Sequence, residues 1–422
     1  MAAIHDVGVA MASTSQINLQ LSGSDPTSLR IRICNEVTRQ CLEQYPQTLQ
    51  GLLLTGSMAR NEGSVIRDVD GRTRVLGDVE VLMVFNQYTR LPSRLEIARL
   101  QTISEGNLVR AGVICRISLS PVHRDYLREL PKHIFTYELL KSGQVIWGDT
   151  ALLEQIPAFS ASDICREDAY RLLCNRMVEQ LEMASEVRVE RDVLPPALLY
   201  STIKLYLDMA TSFLVFVGCY EPTYRRRAER LAALAANKSN QEYPFELGDF
   251  SRRVTACTVK KLNSNVDNND LGWPFFEVAI HFARLLWRWE LARLTGLEAQ
   301  QSNRQLLERW RTTQPVRQRL RGWAYVARKQ GWGSCRYWPR WARRAWRGSP
   351  RYWIYAATAE VFFRLPCILK PEGLRMPGDK DWARLQKFLP ALSGAAVARP
   401  DWSQLGLQIA WNYHRFLTGT RA

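Results

Sequence analysis

Apolar positions recur at helical spacing from Pro26 to Gln44 (Leu29, Ile31, Ile33, Val37, Cys41, Leu42), with Asp25 placed as N-cap and Pro26 as first helical residue. The pattern then tightens. Leu52-Leu53-Leu54 reads as a short apolar strand running into the turn Gly56-Ser57, and this strand should lie under the preceding helix. Gly77 to Phe85 reads as a buried strand, apolar on both faces after Glu80, which predicts a central position in a sheet. Between the two, Asp70-Gly71-Arg72 predicts a hairpin turn joining two short edge strands. Helical spacing returns over Arg94 to Val109, a strand over Gly112 to Leu119, and a helix over Pro131 to Ser142. This order predicts an α+β fold: a small mixed sheet with helices packed on it.

After Pro157 to Ser162, which reads as a linker, the period stays helical. Arg166 to Val187, Pro196 to Val217, Thr223 to Ala236, Phe250 to Asn263 and Phe275 to Leu294 are all expected helices, punctuated by Pro195-Pro196, Gly218, Pro222 and Pro274. An all-α domain therefore follows the sheet domain. Further helices are expected over Ile354 to Leu365, Trp382 to Phe388 and Gln404 to Leu417, with a loop from Pro366 to Gly378. The resulting division is a flexible polar lead over 1–22, a sheet domain over 23–156, a helical domain over 163–300 and a basic helical region over 301–422.

Chemistry concentrates between Gly51 and Phe85. Glycine at position 56 tolerates positive φ and lets backbone N–H groups approach a bulky anion, as a phosphate-gripping loop requires. Asp78 and Glu80 are two residues apart on a strand, so the pleat puts both on one face. Two neighbouring carboxylates repel unless a cation sits between them, and Mg²⁺ is the oxygen-seeking ion that joins carboxylate to phosphate. Phosphate loop and acid pair together point to nucleotide chemistry.

Gly56-Ser57, then Ala59-Arg60-Asn61-Glu62-Gly63-Ser64, then an Asp-x-Glu on an apolar strand resemble the signature of the DNA polymerase β-like nucleotidyltransferase superfamily. The segment Tyr137 to Asp149 is similar to the way many bacterial members close the catalytic domain, so the resemblance covers roughly residues 26–150. It implies that Gly56 and Ser57 hold the β- and γ-phosphates of a nucleoside triphosphate, that Asp78 and Glu80 hold two Mg²⁺ ions, and that a helical partner forms the other wall of a cleft. Arg60 is an added candidate for triphosphate contact.

The chain departs from the family in two places. The gap between turn and acid pair is longer, and the strand that should supply a third carboxylate, Val113 to Leu119, contains no acid. Ser118 or Arg116 stands where that acid belongs; the remaining candidates are Glu62, Asp68 and Asp70. His123, just beyond this strand, reads as a surface histidine.

Charge sharpens the division. The chain carries a net charge of +16, yet residues 1–160 hold 16 Lys plus Arg against 16 Asp plus Glu, so the whole excess lies C-terminal. Residues 304–353 hold 14 Lys plus Arg, one acid (Glu308) and seven Trp. Nucleic-acid binding by stacking and phosphate pairing, contact with an anionic membrane face, and Trp packed under Arg stems all fit that composition. Nine scattered cysteines without a Cys-x-x-Cys fit reduced thiols in the cytoplasm. No signal peptide is expected. Lys204 and Asp208 interrupt the most apolar helix, 197–217, which argues for a core helix over a membrane span; the two are expected to pair at i, i+4.

Three functions follow. The leading one is an enzyme that moves a nucleoside monophosphate from an NTP to the hydroxyl of a small molecule or RNA, releasing pyrophosphate. The alternatives are a nucleotide-binding protein with weakened or lost turnover, and a nucleic-acid-binding protein working through 304–353.

Overall fold

The computed structural model describes residues 26–68, 70–186, 194–237, 242–263, 272–369 and 402–417. The lead at 1–22, the Asp25 cap, most of the Pro366–Gly378 loop and the 382–388 helix lie outside the described residues. Two compact units are present, one of residues up to Glu129 plus Ser142–Gln155, the other of Leu130–Lys141 plus everything from Ile156 onward.

The first unit is built on a five-stranded mixed sheet. Helix α1 (Pro26–Gln44) leads into strand β1 (Leu49–Thr55) and the single turn α2 (Gly56–Ala59). Strands β2 (Val65–Arg67) and β3 (Thr73–Phe85) follow, then α3 (Arg94–Arg110), β4 (Val113–His123) and α4 (Asp125–Arg128). Helix α5 (Ile134–Ser142), most of which belongs to the second unit, separates these from strand β5 (Gln144–Gly148).

β3 is central, as its two-sided apolar run requires. It pairs antiparallel with β2 and then β1 along one edge and parallel with β4 along the other. The expected hairpin is present, with Gly71 at φ +81 and Asp68 N–H donating to the Arg72 carbonyl at 2.8 Å. Its second arm is not a separate short strand. Residues from Thr73 run without interruption into the acid-bearing segment, because the β-branched and apolar residues of 79–85 extend a ladder already nucleated at the turn.

One face of the sheet packs against α1 and α3. Val79, Val81, Met83 and Phe85 of β3, Leu52 and Leu54 of β1, and Val113, Cys115, Ile117 and Leu119 of β4 form that core with Leu29, Ile33 and Val37 of α1. α3 begins at a capping box, Ser93 with Glu96, that holds its entry to the sheet. The opposite face is covered only in part. Leu82 and Val84 are buried there, and Leu152 from the 3-10 turn Thr150–Gln155 takes the space a Gly51 side chain would need. Farther along β3 the cover ends, and Asp78 and Glu80 are exposed.

The second unit is helical: α6 (Arg166–Glu186), α7 (Pro196–Phe216), α8 (Tyr224–Ala236), α9 (Leu247–Asn263), α10 (Trp273–Thr295), α11 (Asn303–Thr313), α12 (Val316–Gln330), α13 (Trp338–Arg347), α14 (Pro350–Phe362), α15 (Leu365–Ile368) and α16 (Trp402–Leu417). α7 is buried along nearly its whole length and no helix among the described residues is long and apolar enough to cross a membrane. The expected Lys204–Asp208 pair is not what forms. Asp208 accepts from Arg176 Nε of α6 at 2.6 Å, while Lys204 Nζ sits 5.4 Å from the Tyr200 ring centroid. Lys before Asp is the less favoured order for an i, i+4 pair, and the guanidinium from α6 gives both charges a short buried contact.

Candidate nucleotide and metal site

β1 ends at Thr55, paired with Glu80, and β2 begins at Val65, paired with Val75. The nine residues between them leave the ladder and return, Ser64 accepting from Leu76 N–H at 2.8 Å. Beside β3, then, a gap in the sheet opens where Gly77, Asp78 and Val79 lie, and the Gly-Ser turn stands at its upper end.

The turn is held by its backbone. Gly56 has φ +67, a conformation open to glycine and costly for a residue with a Cβ. The reason is visible across the gap: a Cβ on Gly56 would lie 2.9 Å from Glu80 Oε2. Glycine therefore does two things here, reversing the chain and letting the loop close on a carboxylate. Thr55 Oγ1 donates to the same Glu80 Oε2 at 3.3 Å. Ser57 follows as the second residue of α2, its carbonyl accepting from Glu62 N–H at 2.8 Å. The loop's far side is fixed by Gln144 of β5, whose Nε2 donates to the Ala59 carbonyl at 2.6 Å, and by Arg30 of α1, which donates to the Asn61 side chain. Asn61 has φ 58, the left-handed region that asparagine tolerates better than most residues.

Asp78 and Glu80 share a face of β3. Both are exposed, whereas Val79 between them and Val81 beyond are 1 % and 2 % exposed. A register shift against β4 between Arg74 and Asp78, with Gly77 at φ +152, produces a local bulge just before the first acid. Bulges of this kind re-aim the following side chain.

β4 presents the same face alongside. In the parallel register Asp78 stands opposite Arg116 and Glu80 opposite Ser118. Arg116 Nε is 3.9 Å from Asp78 Oδ1, and with the Arg116 side chain 86 % exposed the pair is a solvated one, worth at most about 1 kcal/mol. Ser118, half-buried, occupies the position where the third carboxylate was sought.

The other acids considered for that role are engaged elsewhere. Asp68 accepts from Arg74 at both oxygens, 3.1 Å each from Nε. Asp70 is bound to Arg72 across the hairpin, which holds its carboxyl below the ordinary range. Glu62 pairs with Arg60 Nε at 3.4 Å, both side chains being 6 % exposed. Arg60 is thus drawn into the loop by Glu62, and contact with a triphosphate would mean exchanging that partner. His123 lies opposite Phe85, at the other end of β3, where its Nε2 is 2.8 Å from the Thr89 carbonyl.

The donor set suits a hard cation: Asp78 and Glu80 offer carboxylate oxygens and Ser118 a hydroxyl. Among the described residues no group of three or more His, Cys, Asp or Glu side chains is placed to hold a metal ion, so the acid pair has no third such ligand beside it. The expected geometry, a Gly-Ser turn after β1 and two acids on one face of β3, is present. Sequence reasoning missed Thr55, Gln144 and the Arg116–Asp78 juxtaposition, all of which depend on strand register.

The basic segment is divided by the structure. Trp310, Trp323 and Trp341 are buried in the helical core, whereas Trp332 and Trp346 are 82 % and 68 % exposed. All nine cysteines are free thiols, and burial pushes several of them up, Cys41 and Cys115 to about 12.

No family model matches the chain, and no curated protein sequence matches it. Among solved structures it is similar to spectinomycin adenyltransferase AAD(9) from Enterococcus faecialis, crystallised with ATP and spectinomycin: 14 % identity and a TM-score of 0.33, over 60 % of this chain and 98 % of that one. A likeness of that size decides neither fold nor activity.

Proposed function

We propose that the first unit binds a nucleoside triphosphate with Mg²⁺ and transfers its nucleoside monophosphate to a hydroxyl acceptor, releasing pyrophosphate. The observation that supports this reading is the approach of Gly56, at φ +67, to Glu80: a Cβ there would lie 2.9 Å from Glu80 Oε2, as a turn closing beside an acid pair requires. Gly56 and Ser57 would take the β- and γ-phosphates on their backbone N–H groups and the Ser57 hydroxyl. Asp78 and Glu80 would hold the ion, with Thr55 fixing the Glu80 carboxylate. Bound there, Mg²⁺ supplies charge neutralisation at the reacting phosphate. Arg116, opposite Asp78 and 86 % exposed, adds a solvent-facing positive charge that suits an anionic substrate.

The rest is positioning. Gln144 and Arg30 brace the loop so that its backbone donors need not reorganise as charge develops. With 16 Lys plus Arg against 16 Asp plus Glu, residues 1–160 have no net attraction for a polyanion, which favours a small hydroxylated acceptor over RNA.

One observation favours a second reading, binding with weakened turnover: Ser118 in place of a carboxylate. Incubation with Mg²⁺ and each labelled NTP, with and without an extract of small molecules, separates the two. Acceptor-dependent pyrophosphate release that disappears in Glu80→Gln supports transfer. NTP retention without release in any mixture supports binding alone, and neither result with any NTP rejects both.

A further inference from the structure

The exposed face of α13 belongs to the helical unit and has its own chemistry. The helix is anchored from below: Trp341 and Ala345 are 2 % exposed, and the Trp341 ring stacks on Tyr337 at 6.0 Å. Its outer side carries Trp338, Ala342 and Trp346 at i, i+4 and i+8, which aligns them in one stripe about 12 Å long. Trp332 extends that stripe, its ring centroid 5.5 Å from that of Trp338. On the other flank of the helix's exposed arc, Arg340, Arg343 and Arg347 fall at i, i+3 and i+7 and are all exposed. Among the described residues no ion pair joins these three arginines to a carboxylate, and the only acid between 304 and 353 is Glu308.

We propose that this ridge is a peripheral docking surface for an anionic lipid bilayer. Tryptophan prefers the headgroup level of a membrane, and arginines along one side of an apolar stripe can reach anionic headgroups while their stems lie on the acyl boundary. A nucleic-acid strand is served less well. The Trp332 and Trp338 rings already pack on each other at an interplanar angle of 39°, which fills the slot a base would need, and Trp346 lies two turns away. A continuous ridge fits a surface better than a row of bases.

The full-length protein is sedimented with vesicles of phosphatidylcholine alone and of phosphatidylcholine mixed with phosphatidylserine. The expected result is binding to the anionic vesicles, weakened about tenfold or more by combined Trp332→Ala, Trp338→Ala and Trp346→Ala, with loss of the anionic preference in Arg340→Gln/Arg343→Gln/Arg347→Gln. Trp346→Ala alone, at a highly exposed position, guards against a folding defect in the triple variant. Absence of binding to either vesicle overturns the proposal, as does binding that the tryptophan substitutions leave unchanged. Retention of a single-stranded oligonucleotide, lost in the same variants while vesicles are ignored, assigns the face to nucleic acid instead and equally overturns it.

Discussion

Gly56 couples backbone shape to site chemistry, and its replacement tests both. Gly56→Ala places a Cβ at φ +67 and against Glu80 Oε2, so a loss of about 1–2 kcal/mol is expected together with a displaced carboxylate. The thermal midpoint reads the first and Mg²⁺-dependent NTP affinity the second. Asp78→Ala should separate them: Asp78 is half exposed and its one ion pair among the described residues, with Arg116, is long, so stability should move by no more than about 0.5 kcal/mol while NTP binding is lost. A large drop in midpoint would assign Asp78 a structural role. Ser118→Asp sets a third carboxylate beside Glu80. Without metal the like charges should lower the midpoint; added Mg²⁺ should restore it, and kcat should rise with little change in nucleotide affinity. A midpoint indifferent to Mg²⁺ in that variant would mean the two side chains do not share an ion.

At the scale of elements, what was legible in the sequence is what periodicity encodes. α1, α3, α6, α7 and α8 begin and end within a residue or so of their expected limits because proline, glycine and cap residues punctuate the chain and the apolar spacing between them is helical, running all round the buried α7. The acid pair on a two-sided apolar strand was equally plain. Contacts between distant segments were not: Gln144 reaches Ala59 across 85 residues, and nothing local in either segment announces it. Nor did composition reveal which tryptophans of 304–353 face inward, since α13 alternates buried and exposed aromatic positions within three turns. The consequence is measurable. Trp310→Ala, removing a fully buried ring that packs against Tyr170 and Tyr355, should cost about 3–5 kcal/mol, whereas Trp346→Ala should stay within about 0.5 kcal/mol.

At the scale of the whole molecule, one buried carboxyl of the helical unit gives stability an expected dependence on pH. Glu290 of α10 is completely buried, its Oε1 accepting from Ser212 Oγ at 2.6 Å and its Oε2 without a hydrogen-bond partner among the described residues. Burial pushes its carboxyl from 4.5 up to about 8. The folded state then keeps a proton that the unfolded chain releases, so the stability that this group contributes is fully present at acid pH and is lost as pH rises from about 4.5 to about 8. Glu290→Gln should flatten that fall and melt higher than the parent protein at alkaline pH. Equal alkaline midpoints would show that Glu290 is ionised in the native core.

The central claim is that Gly56, Ser57, Asp78 and Glu80 form one Mg²⁺-dependent nucleotide site, and calorimetric titration of NTP into the protein tests it most directly. Saturable binding that needs Mg²⁺, and that Glu80→Gln weakens about tenfold or more at an unchanged thermal midpoint, is the predicted result. Binding that is indifferent to Mg²⁺ and equal in parent and Glu80→Gln, or no binding of any NTP, would contradict it.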